Sequence, residues 1–542
     1  MDQIRNLLET YTGRELTALH MPGHKRKPVF GGMWDEIFQL DVTEVPGTDD
    51  LHHAAGPILE SQKEAAGIFG AAYSHYLVGG STAGILAAIR AAVTLWEEDQ
   101  TGQTENLTSD MQENADSQEL HRPVFLVAAN CHKSVWNGLR LTGADPVVLT
   151  PEEDPDYGPV KTDTLLRVMR EEVEDPDRIA GCILTSPTYG GAISPLGELH
   201  AVLEVYGIPL IVDEAHGAHL PFCPELEWCS GVQSGAEYVI QSLHKTLPAM
   251  TQTAILHVGR GDRAWEYEEV IREQLAVFQS SSPSYILMLS AEQAVDWADR
   301  NRERFGEYLD RIKALRMELT DGLKQLSLIR LPEVQDPTRL LLRLKDQKGL
   351  KEGERNKAEE PDLSTGTGLA EWLERERGIV AELAGGDELI LLSSVCDDRE
   401  DLDKLKEALF ALDTEIKKDR ERKKRSARRK AKKEAERAEK AAKAAEKARS
   451  KDEDTRDYGG AVTVDFDSLL EDDEEKSAED TMDTGSAGGE HFRLPAIGEF
   501  VQRDIYVYPP GVPILRGGQR VTAEALERLK KEQQAGRRIY GL

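Results

Sequence analysis

"IPLIVDEAHGAHL", residues 208–220, is the stretch on which the fold turns. A short run of branched aliphatic side chains stops abruptly at Asp213, Glu214 and His216. That pattern reads as a strand buried on both faces, with polar residues at its carboxyl end. Asp213-Glu214-Ala215-His216 also matches a tetrapeptide of nucleic-acid helicases, in which the carboxylate serves magnesium and ATP. Such an ATPase needs a phosphate-cradling loop of the form GxxxxGK[ST] upstream. The glycine-rich "GGSTAG" at 79–84 has no lysine, and the ATPase reading is set aside.

Similar runs lie on either side. "PVFLVAAN", "GCILTSP", "EYVIQSLHK" and "TAILHV" alternate with helix-length segments between about residues 45 and 260. The alternation predicts an α/β fold with a mostly parallel sheet covered on both faces. Ligands of such sheets gather at the carboxyl ends of the strands. The residues ending these runs, Asn130 to His132, Ser186 to Tyr189, Asp213 to His216 and Ser242 to Lys245, are therefore expected to converge. Beyond about residue 285, long helical segments precede "RLLLRLKD" and "ELILLSSV", the texture of a smaller α+β domain.

The chain divides accordingly into an N-terminal arm (1–44), a large domain (45–300), a small domain (301–413), a charged insertion (414–490) and a C-terminal segment (491–542). Residues 97–120, poor in large apolar side chains, are expected to form an acidic loop, and 347–366 read the same way. The insertion begins with Lys, Arg, Ala and Glu without an apolar stripe, which predicts a lone charged helix. An acidic, disordered half is expected to follow. A solvated insertion is the plain reading of its basic half; a nucleic-acid or partner-binding role is the alternative.

With 542 residues and 39% hydrophobic content the chain is globular. No run approaches the roughly 20 apolar residues of a membrane span, and the N-terminus lacks a signal-peptide layout, so a cytoplasmic protein without membrane contact is expected. Cys131, Cys182, Cys223, Cys229 and Cys396 show no metal-ligand spacing; reduced thiols and no metal site follow. A formal net charge of −31 argues against nucleic acid as partner and is compatible with small cationic substrates.

Thirty-two positions after Asp213, Lys245 ends the next strand-like run in "SLHKT". A lysine and a carboxylate at neighbouring strand ends suit pyridoxal 5'-phosphate. The amine takes the cofactor aldehyde as an imine, and the carboxylate keeps the pyridine nitrogen protonated. The cofactor phosphate needs donors and a helix N-terminus, which "LVGGSTAGILAAIRAAV" supplies through its glycines, Ser81 and Thr82. Ser242 and His244 flank the lysine as further phosphate donors. The hydroxyls of Ser81 and Thr82 also suit a plain helix cap. His132, in "NCHKSVWNG", is placed to stack on the pyridine ring or to cap a helix. His216 can hydrogen-bond the cofactor, tune Asp213, or serve packing alone.

These residues bring a family into view. The chain resembles the Orn/Lys/Arg decarboxylases of fold-type I, especially the shorter bacterial members. The likeness rests on "LHMPGHKRKPVF" (19–30), "DVTEVPGTDDLHHAAGPILESQKEAAGIFGA" (41–71), "YLVGGSTAGILAAI" (76–89), "NCHKSVWNGLRLTGADPVVL" (130–149), "TSPTYGGAISPL" (185–196), "VDEAHGAHLPF" (212–222), "QSLHKTLPAMTQTAILHV" (241–258) and "FQSSSPSYILMLS" (278–290). The resemblance implies Lys245 as the imine lysine, Asp213 as partner of the pyridine nitrogen and His132 as the stacking ring. It also implies Ser81, Thr82, Ser242 and His244 as phosphate ligands. It implies a homodimer or higher homo-oligomer in which Ser282 and Ser284 reach the partner subunit's cofactor. The activity implied is decarboxylation of arginine, lysine or ornithine to an amine and carbon dioxide, a step towards polyamines. Rival expectations are another fold-type I lyase or transaminase, or a catalytically quiet scaffold. "IYVYPPGVPILRGGQRVTAEALERLKK" (505–531) is similar to the family's C-terminal segment, with Arg516-Gly517-Gly518-Gln519 where a Pro-Gly-Glu is usual.

Overall fold

The computed structural model describes residues 1–105, 122–332, 334–345, 361–453, 494–507, 512–534 and 539–541. The α/β expectation holds: a seven-stranded sheet runs in the order β1-β8-β7-β6-β4-β2-β3. Its strands are β1 (Tyr73–Leu77), β2 (Val124–Ala128), β3 (Asp145–Leu149), β4 (Ile179–Thr185), β6 (Leu210–Asp213), β7 (Tyr238–Gln241) and β8 (Ala254–Val258). The pairings β3-β2-β4-β6-β7 are all parallel, whereas β8 runs antiparallel to both β7 and β1. "TAILHV" thus enters the sheet reversed. A short aliphatic run buried on both faces looks alike in either direction, so only the connection reveals it.

All of β2, β4, β6, β7 and β8 are buried throughout. Their side chains meet those of the helices Gly80–Glu105, Lys133–Thr142, Thr162–Glu171, Leu196–Val205 and Ala264–Phe278 in one continuous core. The helix Gly80–Glu105 continues into the stretch read as an acidic loop; residues 106–120 of that loop lie outside the described residues.

A short pairing ties the second half of the chain to the first. β5 (Ala192–Ile193), just after β4, pairs with β10 (Val334–Gln335). From there the chain enters a four-stranded antiparallel sheet of β9 (Leu326–Leu328), β11 (Arg339–Leu344), β12 (Leu383–Gly385) and β13 (Glu388–Leu392), ordered β12-β13-β11-β9. "RLLLRLKD" and "ELILLSSV" are its two central strands. Helices Gly366–Arg377 and Arg399–Glu453 pack on it, and the helices Tyr285–Arg300 and Arg302–Gly322 share its core with the N-terminal helix Gln3–Thr12. The helix Arg399–Glu453 is anchored by Leu402, Leu409, Leu412 and Ile416, then runs on with exposed side chains through the basic stretch as far as residue 444. Near the C-terminus, β14 (Ile505–Val507) pairs with β15 (Val512–Leu515) and β16 (Ile539–Tyr540). No described helix is long and apolar enough to cross a membrane.

One glycine sets how closely the helix Gly80–Glu105 lies on the sheet. A Cβ on Gly84 would come within 2.6 Å of Leu77 Cδ1 and 3.1 Å of Ile240 Cγ2, so the absence of a side chain lets the first turn settle beside the ends of β1 and β7. A Gly84→Val change is expected to destabilise by roughly 1–3 kcal/mol through overpacking. Gly67→Ala places its methyl in open space within the helix Pro57–Phe69. It should instead stabilise by about 0.5–1 kcal/mol. Urea unfolding of the two variants measures both, and equal effects would contradict the packing assigned here.

Candidate active site

The site is built where strands end. Register places Thr185 of β4 beside Asp213 of β6, and Asp213 beside Ile240 of β7. Past its strand end, the chain at Asp213 turns sharply. The Asp213 carboxylate is buried and accepts from the Ala215 N–H at 3.2 Å. Burial pushes its pKa up, while the Lys245 charge and the Ala215 N–H oppose that rise. Glu214 points elsewhere. Its carboxylate accepts from the Gly231 N–H at 2.6 Å and from Gln241 Nε2 at 2.8 Å, which locks the turn to the neighbouring strand. The tetrapeptide that opened the sequence question thus splits into a site carboxylate and a structural one.

Lys245 stands on the one-turn helix Leu243–Thr246 that follows β7. Its Nζ lies 3.1 Å from His216 Nε2. Burial lowers the lysine pKa, Asp213 and Glu382 counteract that, and Arg339 adds to it. His216 is buried and its pKa is depressed well below the ordinary value, first by burial and then by the charges of Lys245 and Arg339. His132 joins the same field: burial, then Lys245 and Lys133, push it down to about 4. It is also the N-cap of the helix Lys133–Thr142, with its Nδ1 accepting from the Ser134 N–H at 3.2 Å. The capping role is realised, and the ring still belongs to the cluster of Asp213, His216 and Lys245.

The glycine-rich loop reaches the same end of the sheet. Leu77 of β1 and Gln241 of β7 flank the start of β8 at Ala254 and Ile255. Gly80 adopts φ +71 and its N–H donates to Gln252 O at 3.0 Å, while Gln252 Nε2 returns a bond to Val78 O at 2.8 Å. That left-handed conformation suits glycine. It sends Ser81, half-buried, and Thr82, exposed, into the first turn of the helix Gly80–Glu105. His244 donates through Nδ1 to Thr253 O at 2.8 Å, so its Nε2 is left as the acceptor in the neutral ring. Ser284 caps the helix Tyr285–Arg300, accepting from the Leu287 N–H at 3.4 Å, and Ser282 stands exposed on the loop before it.

Arg339, Asp336 and Glu382 carried no signal that the motifs offered, whereas Tyr189 closes the Ser186 to Tyr189 stretch expected to converge. Arg339, the first residue of β11, is wholly buried; its Nη2 lies 3.0 Å from His216 Nδ1 and donates to His216 O at 3.2 Å. Asp336, just before it, is buried with His219 at 3.3 Å, and its pKa is held low by the His219 and Arg339 charges against the opposing effect of burial. Tyr189, from the loop after β4, meets the His216 ring edge-on at 5.2 Å, and its hydroxyl donates to Glu382 at 2.7 Å. Arg339 and Glu382 sit on a strand and a turn distant in sequence, so only the tertiary pairing of β5 with β10 brings them in.

The C-terminal segment covers the neighbouring helix. Arg516 lies over the Trp136 ring at 4.3 Å, Arg140 pairs with Asp504, and Arg528 bonds Asp156 at 2.8 Å. Gln519 is exposed; its side-chain oxygen accepts from the Arg516 N–H at 2.9 Å and closes the turn. The Pro-Pro-Gly of the segment, at 509–511, lies outside the described residues.

The donor set fits a phosphorylated pyridine aldehyde. Thr185 Oγ1, on the last residue of β4, and Ser242 Oγ, on the residue after β7, are buried without a hydrogen-bond partner on the two strands that flank Asp213. Such orphaned polar atoms are costly unless a ligand or water meets them. The family model for "Orn/Lys/Arg decarboxylase, major domain" matches residues 4–98 and 120–336, more than half of the chain. The chain belongs to this family. It is 35% identical to the uncharacterized protein YaaO of Bacillus subtilis over 61% of this chain, a match spanning just under two thirds, 65%, of YaaO. It is 25% identical to the arginine decarboxylase of the same bacterium over 98% of this chain and 94% of that one. Among solved structures, the constitutive lysine decarboxylase of Escherichia coli shares the fold with a TM-score of 0.63 at 18% identity, covering 100% of this chain and 80% of that one. The lysine decarboxylase LdcF of Francisella novicida gives 0.57 at 17%, covering 76% and 59%. The fold-type I architecture expected from the sequence is the one found.

The buried histidine gives a pH prediction. The folded pKa of His132, about 4, lies below its ordinary 6.5, so the unfolded chain takes up the proton first as pH falls. The stability this contributes is present above about 6.5 and is lost as pH falls towards 4. Between pH 7.5 and pH 5 the stability gap between wild type and His132→Asn should narrow by roughly 1–2 kcal/mol. Paired urea unfolding curves at the two pH values check this.

Proposed function

We propose that this protein is a pyridoxal 5'-phosphate-dependent carboxy-lyase that converts a basic L-amino acid, arginine, lysine or ornithine, to its amine and carbon dioxide. One observation carries the reading: a buried carboxylate, Asp213, and a lysine, Lys245, stand at the ends of adjacent parallel strands, with His216 Nε2 3.1 Å from the lysine Nζ. Relatives named arginine decarboxylase over nearly the whole chain support the reaction class.

Lys245 would hold the cofactor, Asp213 its ring nitrogen and His132 one ring face. Ser81, Thr82, Ser242 and His244 would hold the phosphate, joined by Ser282 and Ser284 of a second subunit in a homodimer. Bound there, the cofactor supplies an electron sink for the pair left when carbon dioxide departs. The chain does the rest. Low local polarity holds Lys245 towards its neutral, nucleophilic form. Asp213, fixed by the Ala215 N–H and by the locked Glu214 turn, keeps a negative charge where a protonated ring nitrogen needs one. Burial of the strand ends at Thr185, Asp213 and Ser242 keeps the electrostatic interactions of Asp213 strong. Carbon dioxide loss leaves a carbon that must regain a proton, and Lys245 and His216 are the groups placed to move one.

Recognition of a basic side chain rests on Glu382. Its carboxylate takes the Tyr189 hydroxyl hydrogen bond at 2.7 Å, and its charge reaches Lys245. A substrate cation beside it would gain an opposite charge that a neutral side chain cannot use. The amine products belong to polyamine precursor synthesis.

The test is amine and carbon dioxide release from arginine, lysine and ornithine offered in parallel to the cofactor-loaded protein. One preferred substrate with equal yields of both products is the expected result. Release of ammonia or keto acid instead would mark a lyase or transaminase. Lys245→Ala should abolish the visible absorbance of the bound cofactor. Asp213→Asn should keep cofactor binding and cost roughly 10²–10⁴-fold in kcat, and Glu382→Gln should raise KM about tenfold with a smaller effect on kcat. Full activity in Asp213→Asn would overturn the reading.

A further inference from the structure

We infer that Arg339 is a positioning residue that fixes His216 as an Nε2–H tautomer and thereby presets Lys245 as a neutral amine. The inference deepens the proposed function, since it takes Lys245 as the lysine that receives the cofactor aldehyde.

The geometry carries it by elimination. A guanidinium is always protonated and only donates. Arg339 Nη2 lies 3.0 Å from His216 Nδ1, so Nδ1 must be the acceptor of the ring. A neutral imidazole has one acceptor and one donor nitrogen, which leaves the proton on Nε2. Nε2 faces Lys245 Nζ at 3.1 Å. Its hydrogen requires a lone pair there, which an amine has and an ammonium lacks. With Lys245 protonated, either N–H would face N–H at the lysine, or the ring would have to turn its proton onto Nδ1 against the guanidinium. The chain arginine–histidine–lysine therefore has one satisfied arrangement, and the lysine in it is uncharged.

Arg339 is held well enough to enforce this. It is wholly buried and donates a second bond to His216 O at 3.2 Å; its backbone N–H is bound to Asp336 O at 3.4 Å. Gly191 makes room for it: a Cβ there would meet Arg339 Cβ and Cγ at 2.9 Å. The groups that act on the pair are limited. Asp213 and Glu382 favour the charged lysine, whereas burial and Arg339 oppose it. Around His216 stand Lys245, Arg339, His132 and His219, and each disfavours an imidazolium. Asp336, three residues before Arg339, lies 3.3 Å from His219 and within the field of Arg339. Once a cofactor occupies Lys245, the same Nε2–H remains a directed donor for an oxygen at that place.

The experiment uses the full chain freed of cofactor, so no turnover is needed. Selective 15N-histidine spectra should report His216 of the wild type as the Nε2–H tautomer from pH 6 to pH 8. The rate of pyridoxal 5'-phosphate capture by Lys245, trapped by borohydride and located by mass spectrometry, is then followed against pH. Arg339→Met should slow capture at pH 7 about tenfold and move the pH midpoint up by about one unit, and Arg339→Lys should restore part of both. In a His216→Phe background, Arg339→Met should add nothing further. A Nδ1–H tautomer in the wild type, or an unchanged pH midpoint in folded Arg339→Met, overturns the inference. If Arg339→Met does not fold, the wild-type tautomer alone decides. Failure of the wild type to capture the cofactor at Lys245 would instead sink the functional reading.

Discussion

The site depends on one electrostatic constraint, the burial of Asp213 at the end of β6 beside Lys245, which follows the end of β7. Taking the Asp213 charge out of water is costly, and a positive partner offsets this only if the geometry is fixed. The sheet fixes it. Register sets Asp213 beside Ile240, and the one-turn helix after Gln241 returns Lys245 over the same edge. Glu214 adds the second restraint by drawing Gly231, Ser230 and Gln241 to one buried carboxylate. Gln241 continues to His257, and His257 to Ser74, so three neighbouring strands share a single polar chain beneath the site. A slip of β6 against β7 would break the Glu214–Gln241 link at its head.

The second constraint joins the two sheets. β5 and β10 pair over two residues only, yet the loop that follows delivers Asp336, Thr338 and Arg339 against the turn from Asp213 to His219. The buried Arg339 guanidinium and the buried Asp336 carboxylate then offset one another locally, with His219 3.3 Å from the carboxylate. Rigid placement matters because Arg339 Nε finds no partner. That desolvated donor is tolerated by the bonds the rest of the guanidinium makes with His216, and it marks a position where function outweighs local satisfaction.

Much of this was legible in the sequence because buried parallel strands advertise themselves. "IPLIVDEAH" and "EYVIQSLHK" gave both the strands and the polar residues that end them, and chain order alone put Asp213 and Lys245 at one edge. The glycine-rich start of the helix Gly80–Glu105 was legible for the same reason: few sequences need glycine, hydroxyl and helix together. β8 was legible as a strand and not in direction, since alternation is lost when both faces are buried. Arg339 and Glu382 were invisible because nothing local distinguishes a strand arginine that is wholly buried from one that is solvated, as Arg343 on the same strand partly is. Their roles arise from a contact across more than a hundred residues.

The distribution of charge follows from these placements. His132, His216 and His244 are all pressed towards neutrality by burial and by Lys245, so these rings offer hydrogen-bond direction, and the buried positive charge is that of Arg339. The pKa of the interior carboxylate, Asp213, is raised by burial, against which the Ala215 N–H favours its charged form. Glu382 differs: it is exposed, it takes a bond from Tyr189, and it faces the lysine from the rim. The negative rim at Glu382 is poorly suited to an acidic side chain, which would meet repulsion on entry. A cationic side chain meets the opposite sign at the rim, and needs no buried counter-ion of its own. The separation lets substrate charge be read in a polar setting, where desolvation is small, while bond breaking occurs where water is scarce.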